Sequence, residues 1–263
     1  MNGDGEALRL ERLRSPEVVA AIAARPLAVL PVGSVEQHGP HLPTGTDTFA
    51  AAAIAAGLAA RLGGVLAPFS AYGVTPLHRG RSGTVSLRPA TFEALLRDVG
   101  SELLAGGFEA LVLVNWHEGN TSSLNRVATE LQGEWPGSSL IVAQACYVAQ
   151  RIYAESGGEL THGGGIETLA VLAAEPDLVA LDGVEATARD ERGRAVDAMR
   201  RSPEVYGFLT DVGEMDPAGW YGDPHWADPE RAAEFVPTVV DAISPAVERV
   251  LELRAKIEQE DER

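Results

Sequence analysis

Two short apolar runs, Leu27 to Val32 and Ala110 to Val114, each break into a loop rich in histidine and carboxylate side chains. Uninterrupted apolar character at this length suits a parallel strand covered on both faces, which requires helices above and below the sheet. The segments between have helical periodicity. Thr48 to Leu62 stops at Gly63 and Gly64, Pro89 to Gly106 carries a stripe of Leu95, Leu96, Val99 and Leu103, and Thr121 to Leu131 follows the second loop. Val65 to Phe69 and Ser139 to Ala145 read as further strands. This alternation predicts a layered α/β/α fold around a mostly parallel central sheet, with residues 1–263 forming a single domain. Ligands collect at the carboxyl ends of the strands in such sheets, where both loops fall.

The remaining segments are read more coarsely. Arg9 to Ala24 is expected to be helical with a restart at Pro16, and Glu167 to open a helix running to Ala174. Gly183 to Ala218 is expected to be irregular with one helix near Asp190 to Arg201. Pro229 to Gln259 is expected to be helical but broken near Pro237 or Pro245. Met1 to Asp4 is expected to be mobile. With 21 basic and 38 acidic residues, a net charge of -17 argues against a nucleic-acid or anionic-membrane partner. The single cysteine, Cys146, excludes an internal disulfide and fits a reducing compartment. No apolar run reaches membrane-spanning length, so a cytoplasmic location is expected.

The chemistry is concentrated in LPVGSVEQHGPHLPTGTD, Leu30 to Asp47. Glu36 and His38 are two residues apart, so both side chains leave an extended backbone by the same face. Asp47 falls near a helix N-terminus, where the macrodipole favours its ionised form. All six histidines lie in Gly-rich or Pro-rich segments outside the expected helices. Mixed carboxylate and imidazole donors suit zinc, manganese or iron better than calcium. Three segments together offer Glu36, His38, Asp47, His117 and Glu167. Two divalent ions sharing a bridging carboxylate would use all five, with Asp47 as the bridge, whereas one ion would leave buried charges in surplus.

At this level of detail the chain resembles the creatininase (creatinine amidohydrolase) family. The resemblance rests on GSVEQHGPHLPTGTD at Gly33 to Asp47, NWHEGN at Asn115 to Asn120, HGGGIET at His162 to Thr168 and GDP at Gly222 to Pro224, with GTVSL at Gly83 to Leu87 behind His78. It implies a two-metal hydrolase acting on C-N bonds other than standard peptide bonds, in which a metal-bridged hydroxide cleaves a cyclic or linear amide of a small molecule. It also implies a homo-oligomer, often a hexamer. Glu36, His38, Asp47 and His117 match family metal ligands, and Glu167 matches the glutamate of the HxGxxET segment. Creatininase itself has a further glutamate two residues after the histidine of the second motif; here that position is Gly119, with Glu118 one residue earlier.

His162 is the candidate for protonating the leaving nitrogen, since an imidazole changes charge near neutrality, the alternative being a structural loop histidine. Glu118 either steers the attacking water or selects a cationic substrate, or else is a solvated carboxylate. Trp116 either stacks on a flat substrate or packs beside the strand end. His41 and His78 are expected to support the ligands rather than join them. Two other functions stay open: a peptidase that trims a modified peptide, as relatives in mycofactocin maturation do, and a metal-binding subunit without turnover.

Overall fold

In the computed structural model, which describes residues 6–202 and 204–261, the apolar runs pair side by side. β1 (Leu8–Arg9), β2 (Leu27–Val32), β3 (Val65–Leu66), β4 (Ala110–Asn115) and β5 (Ser139–Gln144) form a sheet in the order β1-β3-β2-β4-β5, with every pairing parallel. Among the described residues eight α-helices accompany it: α1 (Ser15–Ala24), α2 (Thr46–Leu62), α3 (Pro89–Ala105), α4 (Thr121–Glu134), α5 (Ala145–Tyr153), α6 (Gly165–Ala174), α7 (Glu191–Arg201) and α8 (Pro229–Asp261).

The alternation of side chains along each strand builds the layers. Leu27 and Val29 of β2, with Ala110, Val112 and Val114 of β4, enter a core shared with α2, α5, α6 and α8. Ala28, Leu30 and Val32, with Leu111 and Leu113, enter a second core shared with α3 and α4. The fold is therefore α/β/α with a parallel central sheet. From β2 the chain passes through α2 to β3 on one side, then through α3 to β4 on the other side of β2. The direction of winding reverses between β2 and β4, which run in register from Leu27 beside Ala110 to Val32 beside Asn115. A crevice opens at the carboxyl ends where such a reversal occurs.

Several elements differ from expectation. Arg9 belongs to β1 and is followed by a 3-10 turn at Leu10–Arg12, so α1 is confined to the stretch that has Pro16 in its first turn. β3 ends at Leu66, although the Ala67 N–H still donates to the Val29 carbonyl (2.9 Å). α5 follows β5 with no intervening loop and was not expected. α8 runs through Pro237 and Pro245 unbroken, against the expected interruption. Each proline removes one N–H donor, but Phe235, Val239, Val240, Ile243 and Val247 are buried along α8, and that burial outweighs the lost bonds. The expected mobility of Met1 to Asp4 lies outside the described residues. No helix among the described residues is long and apolar enough to cross a membrane.

Phe235 is fully buried, its ring edge-on to Trp116 (5.7 Å) and stacked with Tyr153 (5.9 Å). Replacing it with alanine leaves a cavity between α8 and the strand end that carries the site. Phe235→Ala is expected to cost about 3–5 kcal/mol, read from denaturant unfolding.

Candidate metal centre

The loops leaving β2 and β4 meet at this crevice, and glycine allows their close approach. A Cβ on Gly33 would lie 2.5 Å from the Thr48 Cα, so only glycine lets the start of α2 sit against the end of β2. Ser34 Oγ can then donate to Asp47 Oδ2 (2.7 Å), and Asp47 lies in the first turn of α2. On the other loop, Asn115 Nδ2 donates to the His117 carbonyl (2.8 Å). Asn120 fastens three segments, donating to the Gly33 carbonyl (2.9 Å) and accepting from the Val74 N–H (2.8 Å). Glu167 enters from the first turn of α6, its Oε2 accepting from the Gly163 N–H (2.6 Å).

Glu36, His38, Asp47, His117 and Glu167 are brought together and buried. His38 Nε2 lies 3.5 Å from Asp47 Oδ1 and 3.4 Å from Glu167 Oε2. His117 Nδ1 lies 3.0 Å from Asp47 Oδ2 and 3.3 Å from Glu36 Oε1. The two oxygens of Asp47 thus address different histidines. Backbone carbonyls fix the tautomers: His38 Nδ1 donates to the Glu36 carbonyl (3.0 Å) and His117 Nε2 to the Val74 carbonyl (3.1 Å). In the uncharged ring the remaining nitrogen then turns a lone pair toward carboxylate oxygens, a repulsion that only a shared proton or a cation relieves. His38 Nε2 is buried with no hydrogen-bond partner among the described residues. Donor atoms around one tetrahedral ion with bonds of about 2.1 Å stand about 3.4 Å apart, so the spacings suit a metal. Glu36, Asp47 and His117 form one potential ligand group, and His38, His162 and Glu167 form another.

Electrostatics point the same way. Burial opposes the charge of His38, but Glu167 and Asp47 more than offset it and push its pKa up to about 10. Burial likewise opposes protonation of His117, and Glu36 and Asp47 push it up to about 9. Burial raises Glu167 to about 7 despite the attraction of His38. Asp47, although buried, is held well below the usual carboxylate range by His38 and His117. The carboxylates therefore draw protons onto the two imidazole nitrogens that a metal would use.

His162 joins the cluster: its Nε2 donates to the Gln37 carbonyl (2.6 Å) and its Nδ1 faces Glu36 Oε1 at 3.7 Å. Burial and the neighbouring His38 and His78 hold it well below its ordinary pKa. His78 comes closer than expected, with its ring 4.1 Å from that of His162 and its Nε2 3.9 Å from Glu36 Oε1. His41 instead donates from Nε2 to the Gly163 carbonyl (2.7 Å). Trp116 packs edge-on against Phe235 and is 2% exposed, yet it lines a cavity of about 380 Å³ that also takes in Glu36, Asp47, His117 and Glu167. Glu118 turns away from the cluster, accepting from the Tyr147 hydroxyl (2.8 Å) and Arg200 Nη1 (2.9 Å). A glutamate at position 119 has no room, because a Cβ there would lie 2.3 Å from the Val74 carbonyl oxygen. Sequence reasoning missed Thr75, whose hydroxyl donates to Glu36 Oε2, and Ser34; neither carries a motif that marks it.

A parallel sheet with carboxylates and histidines clustered at its switch point is the arrangement of a metal-binding protein of the doubly wound α/β class. The family model Creatininase, described as creatinine amidohydrolase, matches residues 11–247. A mycofactocin precursor peptide peptidase of Mycobacterium ulcerans is 30% identical over 225 residues, covering 82% of each chain. Creatinine amidohydrolase of Pseudomonas putida is 32% identical over 174 residues, 59% of this chain and 67% of that one. A crystal structure of creatininase superposes with a TM-score of 0.76 at 26% identity, over 92% of this chain and 97% of that one. A manganese creatininase gives 0.74 at 26% identity, over 92% and 98%. The chain belongs to the creatininase family and is a metal-dependent amidohydrolase, as its motifs implied.

Proposed function

We propose that the protein hydrolyses the amide C-N bond of a small molecule at a centre of two divalent ions, zinc or manganese before iron. The observation that carries this reading is Asp47, whose two oxygens face His38 and His117 separately, as a bridging carboxylate would. Glu36 and His117 would hold one ion, and His38 and Glu167 the other. When bound, the ions polarise the amide carbonyl and acidify water. Thr75 and Ser34 orient Glu36 and Asp47 through their hydroxyls. His162, held uncharged with its Nδ1 lone pair toward the cluster, would orient the attacking water by accepting a hydrogen bond rather than carry a proton to the leaving nitrogen, the role expected from the sequence. Glu118, bonded to Tyr147 and two arginines, would shape the cavity rather than move a proton. We also propose that residues 1–263 act as one domain, in a cytoplasmic homo-oligomer.

A second reading, trimming of a modified peptide, is favoured by the peptidase relative that spans 82% of this chain. One experiment tests both. Protein purified with metal is expected to hold about two ions per chain. It is then assayed against lactams, cyclic ureas, formamides and short peptides. Turnover of the first three supports the amidohydrolase, and turnover of peptides alone supports the peptidase. A chain that takes up no metal under replete conditions contradicts both.

A further inference from the structure

The cavity that begins at the metal centre also has a cationic wall. Arg200 and Arg201, at the end of α7, line it. Arg200 donates to Glu118 (2.9 Å) and to Asp197 (3.1 Å), and Arg201 reaches the same carboxylates at 3.6 and 3.3 Å. Arg189 pairs with Asp197 as well. Arg200 and Arg201 thus set two guanidiniums in the wall of the cavity, within a chain of net charge -17.

The same lining includes Tyr206 and Phe208, which are 58% and 86% exposed, an unusual state for aromatic side chains.

We propose that the cavity selects amides bearing a carboxylate beside an apolar side chain, as in an N-acylated amino acid, with Arg200 and Arg201 setting that specificity. Glu118 positions the two guanidiniums, since its charge is already matched by them. Tyr206 and Phe208 cover the apolar side chain. This rests on the amidohydrolase reading, because the amide must reach the metal centre.

The test compares N-acetyl-phenylalanine with N-acetyl-phenylalaninamide by titration calorimetry on the metal-loaded protein. The acid is expected to bind about tenfold tighter or better, as charge-assisted bonds to a guanidinium allow. Arg201→Gln and Arg200→Gln are expected to bring the two within about threefold of each other. Arg201 is the safer site, because its side chain is 37% exposed and Arg200 carries more of the anchoring of α7. Equal affinity for acid and amide overturns the proposal. So does a preference that survives both substitutions, since that carboxylate would be held by the metals. A pentapeptide ending in phenylalanine separates the sources: equal affinity assigns the carboxylate to a peptide end, and weaker binding to a small acylated amino acid, both supporting the proposal. Turnover is read separately. Absent hydrolysis with the preference intact counts against the amidohydrolase reading alone.

Discussion

Asp47→Ala is expected to abolish metal binding and activity together. Asp47 addresses His38 through Oδ1 (3.5 Å) and His117 through Oδ2 (3.0 Å), so its removal withdraws a donor from both halves of the cluster. The remaining groups, Glu36 with His117 and His38 with Glu167, lose the charge that links them. Metal content should fall from about two ions per chain to below about 0.2, and turnover by about a thousandfold or more. Asp47→Asn separates charge from shape, because an amide oxygen can still accept from Ser34 Oγ, which here donates to Oδ2 (2.7 Å). If a bridging negative charge is what matters, the asparagine variant fails nearly as completely as the alanine variant. Full activity in either variant would refute the assignment. Unchanged metal content with lost turnover would instead move Asp47 from holding the ions to acting on the substrate.

How far the molecule could be read in advance depended on what made each feature necessary. β2 and β4 were plain because a strand buried on both faces leaves no room for a polar residue: Leu27 to Leu30 and Ala110 to Val114 are all buried. Glu36, His38, Asp47, His117 and Glu167 stood out because few roles suit carboxylates and imidazoles in glycine-rich loops. Thr75 and Ser34 did not, since a hydroxyl that orients a carboxylate looks like any other loop hydroxyl until the segments meet. Gln144 ends β5 and Ala145 begins α5 with no turn signal between them, so that helix was hidden. Pro237 and Pro245 misled for the opposite reason: a local rule predicted a break, and the apolar face buried along α8 overrode it. Arg200 and Arg201 lie at the end of the predicted helix in the segment hardest to read. Their role comes from Glu118, some eighty residues earlier in the chain, and no spacing rule connects the two.

Protons and metal ions should compete for the same two nitrogens, and the sign of that competition is fixed. Without metal, His38 is pushed up to about 10 and His117 up to about 9, so both hold a proton at neutral pH. Each backbone carbonyl already takes one N–H, at Nδ1 of His38 and Nε2 of His117, so the extra proton sits on the nitrogen a metal would need. Each bound ion should therefore displace at least one proton, and its apparent affinity should rise at least about tenfold per pH unit between pH 6 and pH 8. The rise should level off above about 9 on the His117 side and above about 10 on the His38 side. Glu167, at about 7, adds a second proton on the His38 side and steepens the dependence below neutrality. His78, held down at about 3, stays uncharged throughout and adds no slope. Chelator competition across this range measures the slope, and calorimetry in buffers of different ionisation heat counts the protons directly. Affinity that stayed flat from pH 6 to pH 8 would mean that the imidazoles facing Asp47 are not the groups giving up protons to the metal.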